Sequence, residues 1–546
     1  MTRGVATSPH RPFSWKRLSL CATVFAAAWL LALWAIGPGI VYAKLQFDAA
    51  VYLSQARHLW DHGSATNFVL GDGLAPIVYT PVPAYLRAPM FGASADIDVV
   101  TRLMQVQNIL LLTALAVVST LYLRMRLPAG VSPHWQYVPF LYLGSTYNPW
   151  ILNAFLPLGD HLFAILTIGA LVVLLPSPAG HTGASRSLRL LVGLLLIGIG
   201  TVQKLTGLAL LAAVAVSHWN VARRWLWAGL ALLLAGILLI CFGDLFLFYL
   251  RAVWGAYFTG RSVGAILLDT ATNLVVSAIP DQIVPNFSYL FLRDFAATRA
   301  VPFDALTTAS APWVVLGAAI TGIVVFGAWK ERRRMAPELA LVLLVTPVYA
   351  LITNSTARYL ASLQPVIVVF CLAGGLSLLG RVRLRIRSAV PAVTIAGLVM
   401  LVLIAVNIAR SFTARTTATP TDLASFLDEL NEVFSAGRAK VASLAADPAA
   451  RFLLVHNDIR WYVLANAQYV GPLGAVREMC DGRPVYAVFA CDARNCGKQA
   501  AWESTAAEDP SLRDRVALRS VYSVNRPAAR FEIKQLQPTS PSACRR

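Results

Sequence analysis

Apolar runs long enough to cross a bilayer recur from Leu18 to Ala409. No other property of the chain limits its fold as tightly. A helix needs about 20 apolar residues to span the hydrocarbon core, and in lipid only helices and closed barrels satisfy every backbone N–H and C=O. The runs fall at residues 18–43, 103–123, 136–156, 160–176, 188–203, 205–219, 225–249, 312–329, 337–353, 361–380 and 388–409. They predict an α-helical polytopic membrane protein with about eleven transmembrane helices, the pair around Lys204 being readable as one broken helix. Only 13% of the 546 residues are charged, against roughly 25% in soluble domains, which excludes a string of soluble domains.

A net charge of +19 would suit a nucleic-acid partner, but its distribution does not. The basic residues cluster between apolar runs, at Arg11, Lys16 and Arg17, at Arg124 and Arg126, at Arg186 and Arg189, and at Arg223 and Arg224. Two more clusters follow, Lys330 with Arg332, Arg333 and Arg334, then Arg381, Arg383, Arg385 and Arg387. Lys and Arg resist translocation, so such clusters mark cytoplasmic loops. With a cytoplasmic N-terminus every cluster follows an even number of spans, and eleven spans place the C-terminal segment outside. The first run is too long for a signal peptide and has no clear cleavage site. A multi-pass protein of the cytoplasmic membrane is expected, with no nucleic-acid partner.

Cysteine usage points the same way. Cys21, Cys241 and Cys371 lie in apolar runs, whereas Cys480, Cys491, Cys496 and Cys544 share the last polar segment. An even number in one segment predicts disulfides in an oxidising compartment. Their spacing, with no histidine following, does not read as zinc. The expected organisation is a transmembrane domain over 1–410, with outer loops at 44–102 and 251–312, and an extracytoplasmic α/β domain over 411–546. Apolar patches in the second loop predict helices lying along the membrane surface. In the tail a helix is expected over Thr421–Phe434, capped by Thr421 or Asp422, and strands at Arg451–His456, Pro484–Ala490, Arg515–Val524 and Arg530–Leu536. Residues Thr539 to Arg546 are expected to be loose.

Few ionisable residues break the apolar pattern. Asp48 opens a helical stretch from Phe47 through Tyr52 and Trp60 to Gly63, where the helix dipole favours a carboxylate. The same stretch carries Gln55, Arg57 and His58. A loop rich in proline and aromatics follows, Val78–Tyr85; with Tyr79 it either walls a cleft or forms a rigid turn. Asp160 and His161 follow Pro157-Leu158-Gly159 at the outer end of the fourth span. Asp160 either caps that helix or, with Asp48 and His161, chelates a divalent cation such as magnesium or manganese, or shares proton transfer. Lys204 interrupts an apolar stretch within Gln203-Lys204-Leu205-Thr206-Gly207. It either snorkels at a helix end or binds an anion. Arg358, followed by Tyr359 in a short outer turn, is suited to holding a phosphate or a lipid headgroup. Together these residues reach one membrane face from distant parts of the chain, as an active site at a membrane–water boundary requires.

This order of motifs resembles the GT-C glycosyltransferases, most closely the protein-mannosyltransferase and aminoarabinose-transferase branch. The resemblance covers roughly residues 15 to 410. It rests on Asp48 before Tyr52 and the Tyr/Pro segment, on Asn153–Asp160, on Lys204–Gly207, and on Ala357-Arg358-Tyr359-Leu360 with Pro365. Departures from the pattern are Ala49 in place of a second acidic residue and the split prolines Pro81 and Pro83 with no lysine before them. The resemblance implies a membrane enzyme that moves a sugar from a polyprenyl-phosphate donor to a cell-envelope acceptor with inversion. It implies Asp48 as general base, Lys204 and Arg358 at the donor phosphate, and Asp160, with His161, holding a divalent ion or orienting the acceptor. Tyr52, Tyr79, His161 and Tyr359 would line the acceptor cleft. The competing classes are a lipid-linked-substrate flippase and a membrane scaffold; spans almost free of charge, Asp244 apart, and the lack of a repeat weigh against a transporter.

Overall fold

The computed structural model describes residues 14–36, 47–63, 82–94, 96–128, 133–144, 159–174, 183–217, 262–284, 311–351, 360–383, 420–453, 467–492, 512–527 and 529–544, with the isolated positions 131 and 236. Among these, three helices are long and apolar enough to cross a membrane: Val99–Arg126, Val314–Glu331 and Ala361–Leu378. Shorter apolar helices run over Asp160–Leu174, Leu188–Gln203 and Ala336–Ala350. The chain is therefore a multi-pass membrane protein. The expected spans at 225–249 and 388–409 lie outside the described residues, apart from position 236. The chain divides into two compact units. One comprises residues 1–31, 108–153 and 159–412; the other comprises 32–107, 154–158 and 413–546.

The first unit is helical. Its elements include α1 (Trp15–Ile36), the inner part of α4 (Ile97–Arg126), α5 (Val138–Gly144), α6 (Asp160–Leu174) and α7 (Gly183–Gln203). After α7 the chain makes a 3-10 turn at Leu205–Gly207 and continues as α8 (Leu208–Ser217), so the apolar stretch around Lys204 is two helices. Further along come α9 (Val263–Asn273), the short α10 (Pro280–Ile283), α11 (Ala311–Glu331), α12 (Ala336–Leu351) and α13 (Gln364–Arg383). In lipid, helices associate through close packing of small residues. α11 and α13 do this at Gly327 and Gly374, where a Cβ on either would run into the other helix's backbone. Tyr122, Ile168, Leu210, Leu341, Ile367 and Phe370 belong to the apolar core of this unit.

Three basic clusters expected on the cytoplasmic side lie at helix ends of this unit. Arg126 closes α4 and pairs with Glu338 at the start of α12, Nε to Oε1 2.6 Å. Arg334 donates to the Arg126 carbonyl. Arg189 donates to the Val173 carbonyl at the C-terminal end of α6 (2.9 Å), where a cation suits the helix dipole. Asp160 is at the opposite end of that same helix.

The expectation of surface helices in the second outer loop meets a divided segment. α9 is capped by Ser262, whose Oγ accepts from the Ala265 N–H (3.2 Å), and it exposes Val263, Leu267 and Leu268 along its length. The chain then turns inward: Ala278, Ile279, Asp281 and Gln282 are buried. Tyr142 donates to the Asp281 carbonyl (2.9 Å) and Gln364 to the Gln282 carbonyl (3.3 Å), so side chains of α5 and α13 hold the buried turn.

In the second unit α2 (Phe47–His62) packs on α3 (Val82–Ala93). α2 ends at Gly63, whose φ of 71° is the left-handed value a helix-terminating glycine supplies, with its N–H on the Leu59 carbonyl (2.9 Å). The Tyr/Pro segment is thus not all loop. Val82, Pro83, Ala84 and Tyr85 form the first turn of α3, where a proline's missing N–H costs no helical bond.

The tail holds a five-stranded mixed sheet of order β2-β1-β3-β5-β4, from β1 (Arg451–Leu453), β2 (Tyr469–Val470), β3 (Val485–Asp492), β4 (Val516–Asn525) and β5 (Ala529–Pro538). β1 is parallel to both β2 and β3, and β5 is antiparallel to β3 and β4. Two helices flank the sheet, α14 (Pro420–Ala445) and α15 (Pro472–Cys480). Phe531 meets α14 at Gly437, whereas Phe489 and Leu536 share a cluster with Val476 and Met479 of α15. In the β3–β5 register Phe489 faces Glu532, the neighbour of Phe531, so successive residues of β5 point to opposite faces and the two helices cover one each.

The end of the chain is not loose through residue 544. Cys480 and Cys544 form a disulfide, and Arg515 forks onto the Ala543 carbonyl at 3.1 and 3.0 Å. Closing a loop across 64 residues stabilises the domain by about 4 kcal/mol on the chain-entropy model. Cys491 is also disulfide-bonded; Cys496 lies outside the described residues.

Candidate active site

The centre of the first unit's polar chemistry is where α6 starts and α7 stops. The two helices pack together, so Lys204, at the residue after α7, reaches the first residue of α6. Its Nζ lies 2.5 Å from Asp160 Oδ1. The preceding residue repeats the grip: Gln203 Nε2 donates to the Gly159 carbonyl (3.3 Å). Asp160 is 5% exposed and Lys204 17% in their side chains, so the pair stands in largely apolar surroundings with the ammonium at its wetter end. Ionised groups taken out of water each cost several kcal/mol, and a close opposite charge offsets that cost. Asp160 also occupies the first turn of α6, where the helix dipole favours an anion.

Lys204 Nζ also lies 5.6 Å from the ring centre of Phe163, one turn along α6. The turn that carries it is fixed from two sides. Gly207 N–H returns to the Lys204 carbonyl (2.8 Å), and the Thr206 hydroxyl meets the Tyr349 hydroxyl of α12 at 2.6 Å. A Cβ on Gly207 would fall 2.6 Å from the Thr201 backbone nitrogen, so the turn lies directly on the backbone of α7 and admits only glycine there. His161, the residue after Asp160 on α6, is 1% exposed. α6 also packs on the 3-10 turn Ala361–Leu363, which begins three residues after Arg358 and leads into α13.

The first unit therefore brings Asp160 and Lys204 together, with Gln203, Thr206 and Tyr349 supporting the pair and its turn, and His161 buried next to Asp160 in the chain. Spacing had not marked the supporting three. Gln203 and Thr206 carried a signal, since they flank Lys204 in the chain; Tyr349 carried none. Tyr79, Arg358 and Tyr359 lie outside the described residues, and the Asp48 side chain is also outside them. Asp48 itself is on α2 of the second unit, one turn before the buried Tyr52. Burial there reveals Arg87 of α3, 2% exposed, with its guanidinium carbon 6.0 Å from the Tyr52 ring centre. Burial lowers the Arg87 pKa to about 10, with the nearby Tyr52 acting in the opposite direction.

Of the expected divalent-cation ligands Asp48, Asp160 and His161, the Asp48 side chain lies outside the described residues, and among those described no group of three His, Cys, Asp or Glu side chains is placed to hold a metal. The Asp160 carboxylate is already neutralised by an ammonium, which would repel a second cation.

No protein-family model matches the chain, and no curated protein sequence does. Among solved structures it is similar to ArnT from Cupriavidus metallidurans bound to undecaprenyl phosphate, at 15% identity and a TM-score of 0.45, covering 94% of this chain and 97% of that one. It is also similar to ArnT in the apo state, at 12% identity and 0.47, covering 94% and 98%. A third is the Archaeoglobus fulgidus oligosaccharyltransferase in complex with zinc and sulfate, at 11% and 0.48, covering 94% and 72%. At such identities no residue's role carries over.

Proposed function

We propose that the chain is a GT-C-like membrane glycosyltransferase that takes a sugar from a polyprenyl-phosphate donor. The observation carrying this reading is the Lys204–Asp160 pair, a partly exposed cation held at the head of an apolar helix. A donor whose tail dissolves in the bilayer and whose phosphate is anionic suits such a place. A polyprenyl phosphate is also what ArnT holds in one of its structures. Asp160 orients the Lys204 ammonium, and Lys204, with Arg358, stabilises the charge that grows on the departing phosphate.

Asp48 serves as the general base. It takes the proton from an acceptor hydroxyl; the freed oxygen bonds to the anomeric carbon as the bond from that carbon to the phosphate oxygen breaks. The electron pair leaves with the polyprenyl phosphate, already a stable anion, so no general acid is needed, and the anomeric centre inverts. The acceptor is a component of the cell envelope, and Tyr52, Tyr79, His161 and Tyr359 contribute to its cleft. The outer face is the working side. The basic clusters at Arg126, Arg189 and Arg334 support that sidedness, being at the ends of α4, α6 and α12 remote from Asp160 and Lys204. The tail disulfide supports it too.

The test is to incubate the purified protein with a panel of radiolabelled polyprenyl-phosphate sugars and follow release of lipid phosphate. Release that depends on donor and acceptor supports transfer. Lipid movement across vesicles with the glycosidic bond intact would replace the reading by a flippase.

A further inference from the structure

The turn from α11 into α12 carries four cations within five residues, Lys330, Arg332, Arg333 and Arg334. Arg334 pairs with Glu331 at 2.8 Å and donates to the Arg126 carbonyl. That engages the turn's one carboxylate. Among the described residues no acidic side chain pairs with Lys330, Arg332 or Arg333, and all three are exposed. Like charges at such spacing repel one another unless an anion stands among them.

The turn holds these cations in place. The N–H groups of Arg334 and Met335 both return to the Glu331 carbonyl (2.9 and 2.8 Å), and Met335 is fully buried. Arg332 folds back onto the end of α11. Its Nη1 donates to the Trp329 carbonyl (2.7 Å), and its guanidinium carbon lies 4.1 Å from the Trp329 ring centre. A guanidinium has five N–H donors, and this bond uses one. Lys330 Nζ lies 5.8 Å from the Phe326 ring centre, one turn back along α11. Cations fixed in this way lose little freedom when an anion binds.

The helix that leads into the turn is the least buried of the three spans, at 22% against 50% and 67%. Gly322, Val325 and Trp329 share one face of it, at i, i+3 and i+7. Val325 and Trp329 are 61% and 63% exposed, and a Cβ on Gly322 would meet nothing within 4 Å. An exposed tryptophan at the end of a span marks the level of the lipid headgroups. An acyl chain thus has an apolar track about 10 Å long from Gly322 to Trp329, ending at the three cations. A zwitterionic headgroup would bring its own ammonium against them; a headgroup with net negative charge would not.

We infer that the α11–α12 turn is a binding site for an anionic phospholipid. Arg332 and Arg333 take its phosphate, Lys330 adds charge at the rim, and an acyl chain lies along Val325 and Gly322. The site is on the side of the membrane away from Lys204, because α12 starts at this turn and meets the Lys204 turn near its other end, through Tyr349. It takes no part in sugar transfer and does not rest on that reading.

The test is native mass spectrometry of the whole protein released from detergent micelles with phosphatidylglycerol or phosphatidylcholine added. The parent should keep phosphatidylglycerol at collision energies that strip phosphatidylcholine. Arg332→Gln/Arg333→Gln should lower the retained phosphatidylglycerol about 20-fold, at roughly 1 kcal/mol for each basic residue at the headgroup level. Arg513→Gln/Arg519→Gln removes the same charge from exposed positions of the tail and should keep the lipid. Equal retention of the two lipids by the parent would mean ordinary boundary lipid and overturn the inference. So would equal losses in the two double variants, which would mean attraction to net charge alone. If the turn variant does not fold, the single variant Arg333→Gln decides, since that side chain touches no other described residue; it should lower retention about fivefold. Unchanged retention there overturns the site.

Discussion

Two buried ion pairs mark the two ends of α12, and they differ in what surrounds them. Near its start Glu338, fully buried, meets Arg126, while Arg334 returns to the Arg126 carbonyl and pairs with Glu331 at 2.8 Å. Near its other end, eleven residues or about 16 Å along, Tyr349 holds the turn that carries Lys204 to Asp160. The first pair closes a loop: its cations are used on a carboxylate and on main-chain oxygens, and Met335 beside it is fully buried. The second has a partly exposed ammonium, a histidine and an amide beside it. Both are close opposite charges in apolar surroundings. What separates a latch from a candidate site is what stands beside the pair.

The contrast would break most visibly in turnover. Asp160→Asn and Lys204→Met should each cut donor-dependent release by about 100-fold or more, as loss of one positioned charge-stabilising group does. Glu338→Gln should leave turnover per folded molecule unchanged. Equal losses in the three variants would mean that both pairs are structural.

Stability sharpens the same comparison. Removing one member of a buried pair strands the other charge at a cost of about 3–5 kcal/mol. Glu338→Gln and Arg126→Met should each lower the thermal midpoint in detergent strongly, and the double variant should regain at least half of the loss. Lys204 has access to water, so Asp160→Asn should cost less. A larger fall for Asp160→Asn than for Glu338→Gln would reverse the assignment of latch and site.

The sequence carried more of the frame than of these pairings. The helix from Phe47 to Gly63 was legible because an apolar stripe and a terminating glycine mark it locally. β3, β4 and β5 coincide closely with apolar runs expected at 484–490, 515–524 and 530–536. Lys204 was legible as an interruption, but its partner 44 residues earlier was not, because a lone lysine suits an anionic lipid and a carboxylate equally well. Glu338 gave no signal beside four basic residues whose excess explains itself by sidedness. Arg87 was hidden by the prolines before it, which read as loop until α3 buries that face. The end of the tail looked loose because neither the Cys480–Cys544 pairing nor the Arg515 fork is encoded in local spacing.

A smaller effect isolates the turn itself. Gly207→Ala keeps every charge but puts a methyl group against the Thr201 backbone, which must shift the turn at about 1–3 kcal/mol. Turnover should fall with it, since the Lys204 nitrogen moves with its backbone. Unchanged kinetics would show that the lysine's reach, not the turn, sets its position.

The smallest change separates support from chemistry. Thr206→Val and Tyr349→Phe each remove one hydroxyl of the 2.6 Å pair while keeping its shape nearly intact. A hydrogen bond of this kind contributes about 1 kcal/mol net. Because either oxygen can donate, removing one leaves the other in need of a partner, so each single variant should cost slightly more than the double. If the pair only braces the turn, turnover should fall less than tenfold in each variant, with the stability and activity losses both non-additive in the double. Additive losses, or a fall comparable to that of Lys204→Met from either hydroxyl alone, would mean that Thr206 or Tyr349 touches the reacting groups rather than the turn.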